Sequence, residues 1–196
     1  DGSTSTGDAG ADGEFATSHG YAEAGVYSVV VTVEDDDGSL AQSTFDYLVV
    51  YDNTAGFVTG GGWFESPAGA YAEDPTLTGK ATFGFVSQYK KGAHVPSGNA
   101  EFRFQAAGLS FKSTAYEWLV VAGSKAQFRG TGTVNGFGDY AFFITATDGG
   151  PGADKFRIRI WDRTGGGLIY DNQVGTEDNA DPTTVLGGGS IVVHRR

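Results

Sequence analysis

The chain has 196 residues, 39% hydrophobic and 19% charged, enough apolar content for a packed core and too little charge for a disordered chain. Residues 1–55 hold eleven acids and no Lys or Arg, so they carry the whole net charge of −11, and the remaining acids and bases balance. That balance excludes nucleic acid as a partner, and there is no apolar run of membrane-spanning length, so no membrane insertion is expected. With no Cys there is no disulfide, thiolate nucleophile or thiolate metal site. Met is also missing, an initiator included, which is the composition expected of a piece of a longer polypeptide.

In chain order, the apolar period is two. Tyr27, Val29, Val31 and Val33 alternate on one face of a β-branched run. The turn Asp35-Asp36-Asp37-Gly38 follows, and residues 41–51 read as the returning strand of a hairpin. Further strands are expected at 80–89, 99–106, 109–112, 116–121, 126–134, 140–148, 155–162, 167–172 and 188–194, with Gly-, Asn- and Asp-rich breaks between them. No amphipathic helix is visible, and residues 71–77 allow one helical turn at most. The charge asymmetry divides the chain into a unit at 1–52, a linker at 53–55 and a second unit at 56–196. The fold class is all-β.

The run from His19 to Gly38 follows the pattern H-x-Y-x-x-x-G-x-Y-x-V-x-x-x-V-x-D-x-x-G through Tyr21, Gly25, Tyr27, Val29, Val33 and Asp35. It resembles the second half of a PKD (polycystic-kidney-disease-type) domain, which implies an immunoglobulin-like sandwich, here a remnant without its first half. In that frame Tyr21 sits at a strand corner with its ring buried and its hydroxyl paired. Such a remnant leaves one sheet face uncovered, so residues 15–51 are expected to pack on the second unit or to pair with a neighbouring chain's edge.

The runs Gly56 to Trp63, Gly79 to Val86, Tyr116 to Val121 and Asp154 to Asp162 are similar to a C-terminal β-module, without assigned activity, of bacterial surface and secreted proteins. This implies an antiparallel β-sandwich or jelly-roll-like domain, an extracellular or cell-surface setting, and other domains of a parent protein as partners.

Two non-catalytic sites are candidates. Calcium takes six to eight oxygen ligands, which clustered carboxylates in Gly-rich loops supply. Three clusters qualify: Asp35 to Asp37, Asp148 with Asp154, and the favoured loop of Asp171, Asn172, Glu177, Asp178 and Asp181. On strict alternation Trp161 shares a face with Arg157 and Arg159, an aromatic beside a basic stripe suited to an acidic cell-surface polysaccharide. Trp63 and Trp118 are read as core. His19, His94 and His194 lie in no catalytic motif, and Glu101 with Glu117 is the one strand-borne acid pair. The Gly triplets at 60–62, 165–167 and 187–189 lack the residues of a phosphate loop and read as loops and bulges. The expectation is a non-catalytic stalk, anchoring or presentation module. The alternatives are a carbohydrate-binding module of a secreted hydrolase and a calcium-stabilised adhesion domain.

Overall fold

The computed structural model describes residues 2–52 and 56–195; the expected linker at 53–55 lies outside them. The described residues form eleven strands and one 3-10 turn, at Gln105–Ala107. The stretch 71–77, allowed one helical turn by its sequence, holds bends and turns. β1 (Gly25–Glu34) and β2 (Leu40–Val50) pair as a two-stranded antiparallel hairpin. The other strands are β3 (Gly56–Ser66), β4 (Gly79–Gln88), β5 (Ser97–Phe104), β6 (Leu109–Ala122), β7 (Lys125–Val134), β8 (Phe137–Thr147), β9 (Lys155–Asp162), β10 (Leu168–Asp171) and β11 (Gly188–Arg195). They make one nine-stranded sheet in the order β10-β9-β8-β7-β6-β5-β4-β3-β11.

From β3 to β10 this order is a meander, with β11 crossing back to pair with β3, and not the expected jelly-roll-like arrangement. The connections decide it. Asn135 (φ 51°) and Gly136 (φ 84°) form a two-residue turn with both central residues left-handed, and such a turn joins only adjacent antiparallel strands. The sheet is nonetheless sandwich-like, because it curls until distant strands face each other. The rings of Phe83 on β4 and Phe156 on β9 stack 3.9 Å apart, and Phe64 on β3 lies 5.8 Å from Phe156. Phe102, Phe104, Phe111, Phe128 and Phe142 complete a buried aromatic interior. Truncating any one of these to Ala costs about 3–5 kcal/mol.

β3 is a strand that sequence reading passes over, since glycine is depleted in strands. Its glycines are required by what covers them. A Cβ on Gly60 would lie 2.6 Å from the Phe85 ring, and one on Gly62 would lie 2.3 Å from the Gly188 carbonyl. The stretches expected at 109–112 and 116–121 are one strand, β6, interrupted by irregularities between Ser113 and Ala115 and between Tyr116 and Trp118.

The base of the hairpin sits on the convex face of the large sheet. Val26 is buried, Tyr51 stacks on Tyr89 at 5.6 Å, and Tyr47 meets Phe143 edge-on at 5.8 Å. Beneath it Val120, Phe143 and Thr145 are buried on that convex face. The hairpin approaches with the face of Val26, Ser28 and Val30, which lines a cleft against Glu177, Asp178 and Asn179. The alternating face of Tyr27, Val29, Val31 and Val33 is therefore turned away. A bulge accounts for this: one extra residue on β2 lies opposite Ser28, and it places Tyr47 on the docking side. At the corner before β1, the hydroxyl bonded to a carbonyl is that of Tyr27, which donates to Glu23 O at 2.9 Å; Tyr21 instead packs its ring on Tyr27 at 4.4 Å.

Candidate functional site: an arginine–aromatic row on the convex sheet face

Alternation along β9 places Phe156, Ile158 and Ile160 in the interior, each fully buried, and turns Arg157, Arg159 and Trp161 to the convex face. The strand register extends this into a row. Arg159 lies opposite Phe143, Phe143 opposite Arg129, and Arg129 opposite Trp118. Trp118 meets Phe143 edge-on at 5.4 Å, so it belongs to this convex row rather than to the interior. Trp63, the other indole read as core, is half-buried, with the Lys80 ammonium 4.5 Å from its ring centroid. The residue opposite Trp161 is Ala141, too small to fill its place. The guanidinium carbons of Arg129 and Arg159 each lie 5.2 Å from the Trp161 ring centroid. Cation–π contacts of this kind contribute about 0.5–2 kcal/mol, the more so when shielded from water.

The hairpin places Tyr47 into this row. Its ring lies 5.0 Å from the Arg129 guanidinium carbon. Its hydroxyl donates to the Asp178 carboxylate, which also ion-pairs with Arg159. Burial, and then the hydrogen bond to Asp178, push the Tyr47 phenol above the usual tyrosine range, and the two arginines only partly oppose this. Tyr47 is thus a protonated donor at neutral pH. It holds φ 62°, a conformation that costs a non-glycine residue about 1–2 kcal/mol. Glu117 completes the row: its Oε2 lies 3.0 Å from Arg129 Nε, an ion pair in distance but off the N–H axis.

Of the three residues expected to bind an acidic polysaccharide, Arg157 is not on the accessible surface. It is 2% exposed and forks onto Asp171, with Nε to Oδ1 at 3.0 Å and Nη2 to Oδ2 at 2.8 Å. Its Nη1 donates to Glu177 O at 2.7 Å. Arg159 and Trp161 do share a face, and Arg159 is already matched by Asp178.

The five residues expected to hold calcium are not brought together. Asp171 pairs with Arg157, Asp178 with Arg159 and Tyr47, and Asp181 with Lys125 at 2.9 Å. Asn172 replaces a missing cross-strand partner: Oδ1 accepts Ile158 N–H at 2.8 Å, and Nδ2 donates to Phe156 O at 2.9 Å. Among the described residues no three His, Asp or Glu side chains converge as a cation site. The other two acidic clusters are also engaged with backbone. Asp35 accepts Asp37 N–H and Ser39 N–H at the hairpin tip. Asp154 accepts Gly149 N–H at 2.9 Å and Ile191 N–H at 2.7 Å, while Asp148 accepts Val193 N–H at 3.1 Å.

The strand-borne acids are held by separate cations, Glu101 by Lys112 at 3.5 Å and Glu117 by Arg129. His194 stacks on Phe57 at 4.0 Å, and His19 lies edge-on to Tyr21. Sequence reasoning missed Tyr47 and Arg129. The one local signal for Tyr47 is the lost alternation at Asp46-Tyr47, and Arg129 is marked only as the single charge inside a strand whose other residues are apolar or neutral after Lys125. Compared with protein-family models, curated proteins and solved structures, the chain matches none.

Proposed function

We propose that this chain is a non-catalytic structural module, of the kind that presents or anchors a larger secreted or cell-surface protein. The observation that supports this reading is the seating of Tyr47. A strained tyrosine on the hairpin is held at once by Asp178 and by the Arg129–Trp161–Arg159 stack of the sheet domain. A hairpin mounted in this way keeps its direction relative to the domain that carries it, which a presentation module requires and a flexible tether does not supply. The resemblance of the run from His19 to Gly38 to a PKD domain supports the same extracellular, repeat-bearing context.

Hydrogen exchange on the whole chain tests the reading. The amides that bond across the β1–β2 hairpin should be protected in the wild type, and Tyr47→Ala should lower that protection about tenfold or more while the nine-stranded sheet is unaffected. Free exchange of the wild-type hairpin, or hydrolytic turnover of a glycan or ester substrate, would overturn it. Binding of an acidic polysaccharide that Trp161→Ala abolishes would replace it with the carbohydrate-binding alternative.

A further inference from the structure

Beyond its seated base, the hairpin is bare. Val29, Val31 and Val33 line one face, paired in register with Phe45, Ser43 and Ala41. Val31 is 51% exposed, Val33 60% and Phe45 61%. The sheet has two strands only, so the outer edge of each carries no strand partner among the described residues. An unpaired edge beside an open apolar face is the arrangement to which an extended chain adds as a further strand. The two edges are not equivalent. The edge of β2 is interrupted by the bulge at Asp46 and Tyr47, whereas β1 runs unbroken from Val29 to Glu34.

Charge selects the occupant. Residues 25–50 hold Glu34, Asp35, Asp36, Asp37 and Asp46 and no Lys or Arg, so a second copy's hairpin would be repelled. The opposite face of β1 leads into a cleft of about 380 Å³ whose wall includes Val26, Ser28, Val30 and Glu177. The Glu177 carboxylate has no cation partner among the described residues; its backbone carbonyl accepts from Arg157 and from the Ala180 N–H. Glu34 lies on that same face of β1. A strand added to β1 sends alternate side chains to the two faces. One set would meet Val29, Val31, Val33 and Phe45, and the other would meet Glu34 and Glu177.

We infer that β1 is a docking edge for an extended segment of another protein in which apolar residues alternate with Lys or Arg. The inference rests on the reading that the hairpin is held rigidly on the sheet domain.

The test uses the full chain and three octapeptides: one alternating Val and Lys, one alternating Val and Glu, and one with the same Val and Lys content in two blocks. Amide exchange and chemical shifts of β1 are followed before and during titration. The alternating Val and Lys peptide should saturate, protect the outward-facing amides between Val29 and Glu34, and bind several-fold more weakly when salt is raised from about 0.05 to about 0.3 M. Phe45→Ser and Val33→Ser should each weaken it by about tenfold or more, with the cross-strand amides of β1 still protected in the free variants. Glu177→Gln should weaken the Lys peptide without touching the apolar face. Equal binding of the block peptide, or none by the alternating one, overturns the inference. So does a chain dimer in sedimentation that Phe45→Ser dissolves, since the occupant would then be a second copy. Unprotected cross-strand amides of β1 in the free wild type overturn the rigid-hairpin reading and this inference with it, whereas protected cross-strand amides, with outward amides that ignore every peptide, overturn the docking alone.

Discussion

Asp154 Oδ2 accepts the backbone N–H of Ile191 at 2.7 Å, and Oδ1 of the same carboxylate accepts Gly149 N–H at 2.9 Å. β11 is an end strand of the large sheet, and at this seam no strand lies beside it to take its amides. The carboxylate takes that place, and Asp148 does the same for Val193 N–H. The seam between the last strand and the β8–β9 connection is therefore closed by side chains, which leaves fewer free donors for another chain's strand.

Asp154→Ala should expose this arrangement. It leaves the buried Ile191 N–H unsatisfied and hands the exposed Gly149 N–H to water, so unfolding in denaturant should show a loss of about 1–3 kcal/mol, with amides of β11 exchanging first. An unchanged midpoint would mean that water satisfies the seam as well as the carboxylate does.

The Arg157–Asp171 pair is buried on both sides, with side chains 3% and 4% exposed. Breaking one partner strands the other charge, so Arg157→Met alone or Asp171→Leu alone should cost about 3–5 kcal/mol. The double variant should recover much of that loss. A double-mutant cycle in chemical denaturation checks this, and additive losses would show that the two groups are not coupled.

Tyr47→Phe keeps the ring in the arginine row and removes the hydroxyl that Asp178 accepts. It should cost about 1–2 kcal/mol. Tyr47→Ala should cost more, because the stacking on Arg129 and the contact with Phe143 go too. A thermal melt ranks the two; equal losses would assign the seat to the hydroxyl alone.

Four tyrosines have phenols pushed upward, chiefly by burial: Tyr47, Tyr89, Tyr116 and Tyr170. A raised folded pKa means that the folded state holds its proton where the unfolded chain has lost it. Their contribution is therefore complete below about pH 10, the unfolded tyrosine value, and is lost as pH rises beyond it. Stability should be level on this account up to about pH 10 and fall steeply above. Tyr116→Phe, which removes a hydroxyl bonded to Val86 O at 3.1 Å, should flatten that fall. The share of the tyrosinate absorbance that Tyr116→Phe removes should appear together with unfolding in the wild type, and its appearance before unfolding would place that phenol in water.

Calcium in excess, compared with a chelator, should leave the melting temperature unchanged. The oxygens of Asp171 and Asp178 are already committed to guanidinium groups, and Asp181 to Lys125. A rise of several degrees would show that a cation displaces these pairs.

Local features were legible in the sequence, because alternation and turn chemistry involve neighbours along the chain. The inward Phe156, Ile158 and Ile160 and the outward Arg159 and Trp161 follow from period two alone. The turns at Asp35 to Gly38 and at Asn135-Gly136 follow from which residues adopt left-handed backbone. The partners of those side chains were not legible. Whether an outward carboxylate meets water, a cation or an arginine depends on how far the sheet curls, which no local spacing records. So Asp171 and Asp178, acids of a Gly- and Asn-rich loop in sequence, become counter-ions of two β9 arginines once the loop folds back over the convex face. For the same reason a β2 bulge, one residue long, turned the hairpin's most apolar face outward: a single added residue reverses alternation, and only packing against the large sheet settled which face was buried.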